Sequence, residues 1–196
     1  DTIFVAPETY EERVRVSAAG LTIRSTQGPG QTTVNAGPTH GPTEDTSDPA
    51  DRNTGAVFTV DGADVSIDGF EITNPDGLIG VKISSGADGT AVLNNEIRDL
   101  GPTERLGVAG IATDPDSFSG IRIVGNTIEN LRQEFGEASQ FRPTVNGILF
   151  DAGGSSDTLT DTVVRNNTIS GLRSDYAPLG IVLPQQLTYS TVEGNE

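Results

Sequence analysis

The sequence contains no cysteine, methionine or tryptophan, one histidine (His40) and one lysine (Lys82), and aromatic residues make up only 5% of it. Without cysteine there is no disulfide and no thiolate metal ligand. With one histidine, zinc clusters built on several imidazoles are excluded, and a Ser/His arrangement would have to centre on His40. No apolar run approaches the roughly 18 residues of a membrane span, and the opening residues lack the pattern of a secretory leader. A soluble segment without membrane insertion is therefore expected. The core must be built from Ile, Val and Leu, which suits narrow β layers better than a large mixed core.

Charge is also one-sided: 28 acidic residues stand against 12 basic ones, a net charge of −16. Such a surface repels phosphate backbones and anionic membranes, so no nucleic acid partner is expected. Eleven of the basic residues are arginine, a skew that, with the acidity, is similar to proteins of high-salt organisms. In molar salt the Debye length falls to about 3 Å and self-repulsion is screened. Solubility alone is the other reading of the acidity.

Against this background one short pattern repeats: strand, tight turn, then mostly Asn-x-Ile. It runs through Val65–Ile72, Thr90–Ile97, Ile121–Ile128 and Thr162–Ile169, and Val192–Glu196 begins another copy. The closing isoleucines Ile72, Ile97, Ile128 and Ile169 are separated by 25, 31 and 41 residues, a base repeat with growing insertions. An interleaved element opens with Gly and an aliphatic residue at Gly80-Val81, Gly110-Ile111, Gly147-Ile148 and Gly180-Ile181. Two or three short strands per repeat, period-two alternation and turn residues between them predict an all-β solenoid of stacked coils. One domain over 1–196 is expected, with loop insertions near 36–55 and 132–146.

Stacking predicts inward columns Val65/Thr90/Ile121/Thr162, Ile67/Val92/Ile123/Val164 and Ile72/Ile97/Ile128/Ile169, and a partial column Leu100/Leu131/Leu172. Asn95, Asn126 and Asn167 share one corner position, followed by Asn195 and preceded by Phe70. Asparagine tolerates the left-handed backbone of a sharp corner, and stacked amides hydrogen-bond up a ladder. Asn166-Asn167-Thr168 is formally a glycosylation sequon, placed within a rung where modification is hindered.

These coils resemble the pectin-lyase-like family of right-handed parallel β-helices, including its carbohydrate-binding and sugar-hydrolase repeats. The opening DTIFVAPETY followed by EERVRVSAAGLTIRST resembles that family's first coil. The resemblance implies a capping helix before this segment and a further coil after it, so a fragment lacking its caps is expected. It implies the fold but no single activity, because such coils carry lyases, hydrolases, epimerases, tail spikes and adhesins.

The catalytic signatures of pectate lyases, polygalacturonases and uronate epimerases are not recognisable, so no catalytic residue is assigned. Asp88, Asp114, Asp116, Asp151 and Asp157 gather near the Gly-aliphatic strands. They are read as turn aspartates, with Ca2+ the one cofactor they would suit. The acidic stretch around His40 lacks the ligand spacing of a calcium loop. The outward column Lys82/Ala112/Leu149/Val182 begins charged and turns aliphatic, and an exposed stripe of that kind suits a neighbouring protomer, as in trimeric tail spikes, or a loop folded over it. Contact residues are expected at Phe135, Phe141, Arg142 and Tyr176 in loops and at Leu149 and Val182 in the stripe.

The reading is a noncatalytic extracellular, cell-surface or virion module from a halophilic system. It presents loops to a polysaccharide or surface protein, with a homo-oligomer (trimer) or filament neighbours as further partners. The alternatives are a secreted polysaccharide lyase or glycoside hydrolase acting on an acidic polysaccharide, and a structural spacer in a filament or surface layer.

Overall fold

The computed structural model describes residues 1–36, 55–75, 77–101, 107–133, 144–151 and 157–196. The chain is an all-β, right-handed parallel β-helix in which every strand pair is parallel and joins one coil to the next. Among the described residues there is no helix, and so none long and apolar enough to cross a membrane.

Three sheets run along the stack. The first is built from Thr2–Val5, Thr22–Ser25, Ser66–Asp68, Ala91–Leu93, Arg122–Val124, Val163–Arg165 and Thr191–Glu193. The second takes Thr9–Tyr10, Thr33–Asn35, Glu71–Asn74, Glu96–Leu100, Thr127–Glu129 and Thr168–Ser170. The third takes Val14–Val16, Ala56–Val60, Ile79–Ile83, Val108–Thr113, Val145–Leu149 and Pro178–Val182. Two short ladders complete it: Phe118–Ser119, Thr158–Thr160 and Gln186–Thr188 form one, and Arg132–Gln133 with Arg173–Ser174 forms the other. Each coil visits the sheets in the same order, so like positions in sequence become neighbours about 4.8 Å apart.

The predicted columns exist in register. Ile3, Ile23, Ile67, Val92, Ile123, Val164 and Val192 lie one above another in the first sheet. Ile72, Ile97, Ile128 and Ile169 do so in the second. Ile97 and Ile128 are fully buried, as are Leu100 and Leu131. The third sheet answers the isoleucine column with glycine: a Cβ at Gly80 would lie 2.6 Å from Ile97 Cγ2, and one at Gly110 the same distance from Ile128 Cγ2. Gly80, Gly110 and Gly147 thus leave the space their isoleucines fill, and the residues after them, Val81, Ile111 and Ile148, enter the same core.

Two coils precede the repeated pattern. They pair with it through Ile23–Ile67 and Val34–Ile72 but lack the Asn-x-Ile signature. In the second coil the corner is held by Ser25 Oγ, 2.8 Å from Thr32 Oγ1, which also accepts the Gly28 N–H at 3.0 Å. The insertion expected near 36–55 lies almost wholly outside the described residues. Of the one expected near 132–146, Arg132–Gln133 and Val145 onward are strand, and 134–143 lie outside them.

The asparagine ladder forms, but the left-handed backbone falls one residue earlier than expected. Gly69, Asn94, Gly125, Asn166 and Gly194 have φ between 51° and 80°, whereas Asn95, Asn126 and Asn167 follow that corner and turn inward. The Oδ1 of each accepts the backbone N–H of the residue one coil below: Phe70 N to Asn95 at 2.9 Å, Asn95 N to Asn126 at 3.0 Å and Asn126 N to Asn167 at 3.0 Å. Each Nδ2 donates down to a carbonyl, Ile67 O at 3.0 Å, Val92 O at 2.9 Å and Ile123 O at 2.9 Å. Asn195 extends the ladder by accepting from Asn167 N at 3.0 Å. A buried amide is tolerated because both of its ends are satisfied.

Candidate functional site

The outer face of the third sheet carries Arg15, Thr59, Lys82, Ala112, Leu149 and Val182 in register. Lys82 and Ala112 are only 5% and 4% exposed, and Leu149 and Val182 are half-buried. The stripe, expected to be covered by a neighbouring protomer or a folded-back loop, is covered to this degree within a single chain. Lys82 lies 2.7 Å from Asp114 Oδ1, and Asp114 Oδ2 accepts the Ser85 N–H at 3.1 Å. Nearby, burial pushes the Asp61 carboxyl up, but the Ser84 hydroxyl at 2.7 Å, Arg15 and Lys82 outweigh it and hold the carboxyl below its ordinary range. This face holds its charges in pairs.

The second sheet's outer face leads to a different arrangement. Glu71 and Glu96 are register neighbours, and Arg98 reaches both: Nη2 lies 2.8 Å from Glu71 Oε1, and Nε lies 3.1 Å from Glu96 Oε1 without hydrogen-bond alignment. Nη1 donates to Asp99 Oδ2 at 2.7 Å. Burial lowers the Arg98 pKa, but Glu71, Asp99 and Glu96 overcome this and raise it. Asp99 sits on a bulge between Arg98 and Leu100 with φ of 54°. That left-handed corner continues in the next coils as Asn130 and Gly171, with φ of 56° and 64°.

Immediately past this corner Leu131 enters the core, and the next residue, Arg132, stands outside it in register with Arg173 on the adjacent coil. Both arginines are exposed. Among the described residues neither guanidinium is ion-paired, nor are those of Arg13 and Arg122, whereas Arg15, Arg24, Lys82, Arg98 and Arg165 are. Two clefts flank the pair. One of ≈ 360 Å³ is lined by Gln133, Leu172, Ser174, Asp175 and Pro178 beside the arginines. The other, ≈ 280 Å³, lies between the arginines and Pro75, Asp99, Gly101, Asn130 and Gly171. Asp99 is engaged with Arg98, so the two guanidinium groups offer ten N–H donors to whatever enters.

Chemically the arrangement suits an anion with planar oxygens. A guanidinium meets a carboxylate through two parallel N–H···O bonds, and two guanidinium groups one strand apart address neighbouring acidic groups of one ligand. Glu71 and Glu96 are both engaged by one arginine, Arg98.

Of the contact residues expected from sequence, Phe135, Phe141 and Arg142 lie outside the described residues. Tyr176 is 51% exposed, three residues beyond Arg173, and its N–H donates to Ser174 Oγ at 3.1 Å. Leu149 and Val182 pair on adjacent strands of the third sheet, and neither lines a cleft. The carboxylates considered for calcium are dispersed: Asp114 holds Lys82, Asp88 accepts the Ser119 N–H at 2.7 Å, and Asp116 accepts the Ser117 N–H at 2.7 Å. Among the described residues no three acidic or histidine side chains converge on one point. The arginine pair escaped the sequence reading although a signal was present: the dipeptide Leu-Arg follows the left-handed corner in both coils, at Leu131-Arg132 and Leu172-Arg173.

No curated protein matches the chain. Among solved structures, a pectin methylesterase variant in complex with a hexasaccharide aligns over 86% of this chain and 69% of that one, at 11% identity and a TM-score of 0.43. The pectin methylesterase from Aspergillus niger in deglycosylated form aligns over 98% and 77%, at 14% identity and a TM-score of 0.40. A family model described as "Protein of unknown function (DUF1565)" matches residues 2–188, and the chain belongs to that family.

Proposed function

We propose that this chain is a noncatalytic β-helix module, displayed outside the cell or on a virion, that binds an acidic glycan through the Arg132–Arg173 pair. The observation that carries the reading is the placement on successive coils, in a chain whose net charge is −16, of two guanidinium groups that have no ion-pair partner among the described residues. In so acidic a molecule an external carboxylate or sulfate supplies the Coulomb stabilisation that no described carboxylate gives them. The flanking clefts add apolar and hydroxyl surface from Leu172, Pro178 and Ser174. The acidic exterior elsewhere disfavours nonspecific polyanion binding, so contact is confined to this patch, and it suits molar salt, where its self-repulsion is screened.

The test is equilibrium binding of polygalacturonate, alginate and neutral dextran to the chain, with absorbance of unsaturated products followed in the same samples. Binding of the acidic polymers without turnover, and none to dextran, is expected. Equal binding to dextran overturns the proposed site, and release of unsaturated or reducing ends overturns the noncatalytic reading in favour of a lyase or hydrolase.

A further inference from the structure

The chain contains a single Asn-x-Ser/Thr sequence, Asn166-Asn167-Thr168, and from sequence it falls within a rung. The structure separates its two asparagines completely. Asn167 is fully buried, with its Nδ2 donating to Ile123 O and to Asn195 Oδ1, both at 2.9 Å. Asn166 occupies the left-handed corner just before it, with φ of 55°, and is exposed. Thr168, the residue that completes the sequon, is exposed too.

The corner column shows what is particular to Asn166. Three of the five positions, Gly69, Gly125 and Gly194, carry no side chain, and at a fourth Asn94 uses its Nδ2 to hold Asp68 Oδ1 at 3.0 Å. Asn166 Nδ2 has no hydrogen-bond partner among the described residues, and the corner ties down only its backbone, whose N–H donates to Glu193 O at 3.2 Å. Asn166 is exposed at this corner, with its amide oxygen over Gly194 of the next coil, where a Cβ would lie 2.6 Å from it. Glycosylation sequons are used where the acceptor ends on such a surface.

We propose that Asn166 is an N-glycan acceptor, modified by an oligosaccharyltransferase from a lipid-phosphate-linked oligosaccharide. The Nδ2–C1 bond forms as the bond between C1 and the lipid phosphate oxygen breaks, and one Nδ2 proton leaves with the lipid phosphate. This proposal stands apart from the Arg132–Arg173 site, which lies beyond a different corner. The glycan would shield the first corner of the acidic coil and leave the arginine pair open.

The experiment is secretion of the full chain through a host route that carries N-glycosylation, followed by intact mass and peptide mapping. One glycan on Asn166 is expected. It should be lost in Asn166→Gly and Thr168→Val and kept in Thr168→Ser. Asn166→Gly keeps the corner foldable, because glycine already fills it in three other coils. A secreted, folded wild-type chain with unmodified Asn166 overturns the proposal.

Discussion

Replacing Asn126 by leucine removes the middle step of the amide ladder, and the cost follows from the bonds it breaks. Asn126 is 1% exposed; its Oδ1 accepts Asn95 N at 3.0 Å and Asn95 Nδ2 at 3.2 Å, and its Nδ2 donates to Val92 O at 2.9 Å. In Asn126→Leu the Asn95 N–H and the Val92 carbonyl lose these partners at a dry corner. Each buried group left unsatisfied costs about 1–3 kcal/mol, and the added apolar carbon offsets about 1 kcal/mol, so a loss of about 3 kcal/mol is expected. For a chain of this size that corresponds to a fall in Tm of roughly 10 °C. Asn195→Leu, at the less buried end of the ladder, should cost about 1 kcal/mol. Far-UV circular dichroism melts of the three proteins in one buffer, with amide hydrogen exchange at Asn95, measure both quantities. An Asn126→Leu protein that melts with the wild type, or no lower than Asn195→Leu, refutes the claim that the ladder is a stabilising element.

Three further outcomes follow. Gly110→Ala places a Cβ 2.6 Å from Ile128 Cγ2 and 2.7 Å from Gly147 O and should destabilise by about 1–3 kcal/mol in urea unfolding, whereas Gly180→Ala meets nothing within 4 Å and should be nearly silent; equal effects would contradict the glycine–isoleucine fit. The depressed Asp61 carboxyl contributes stability that is complete above its unfolded value near 3.9 and is lost as pH falls through its lower folded value. Asp61→Asn should therefore lower Tm slightly at neutral pH, by less than about 1 kcal/mol in free energy, and shrink the drop below about pH 4; an unchanged acid limb would remove the assignment. With a net charge of −16, Tm should climb steeply between dilute and molar KCl, and a flat response would exclude adaptation to high salt.

The stacking of coils was legible in the sequence because in a parallel solenoid the register is the repeat: Ile97, Ile128 and Ile169 recur at one height, and the structure pairs them directly. The first two coils were harder to read. Their corner uses Ser25 and Thr32 in place of an asparagine amide, a local solution that leaves no repeated letter. The left-handed position was misplaced by one residue because asparagine serves two purposes at adjacent sites, φ tolerance at Asn94 and Asn166 and inward hydrogen bonding at Asn95 and Asn167. That the stripe at Ala112 is covered was expected, but not by what, because alternation predicts which face a side chain takes and not what lies over that face. Arg132 and Arg173 were passed over because the repeat was followed through its inward residues, Leu131 and Leu172, and not through the outward residue after each.

That juxtaposition is most directly tested by a double-mutant cycle on oligogalacturonate binding, using Arg132→Gln, Arg173→Gln and the double variant, measured by titration calorimetry at fixed salt. If the two guanidinium groups grip one ligand together, each single change should weaken binding about tenfold, near 1.4 kcal/mol, and the double change should cost clearly less than the sum of the two. Single variants that bind as the wild type does, with the double variant equally unaffected, would contradict the arginine pair as the glycan site.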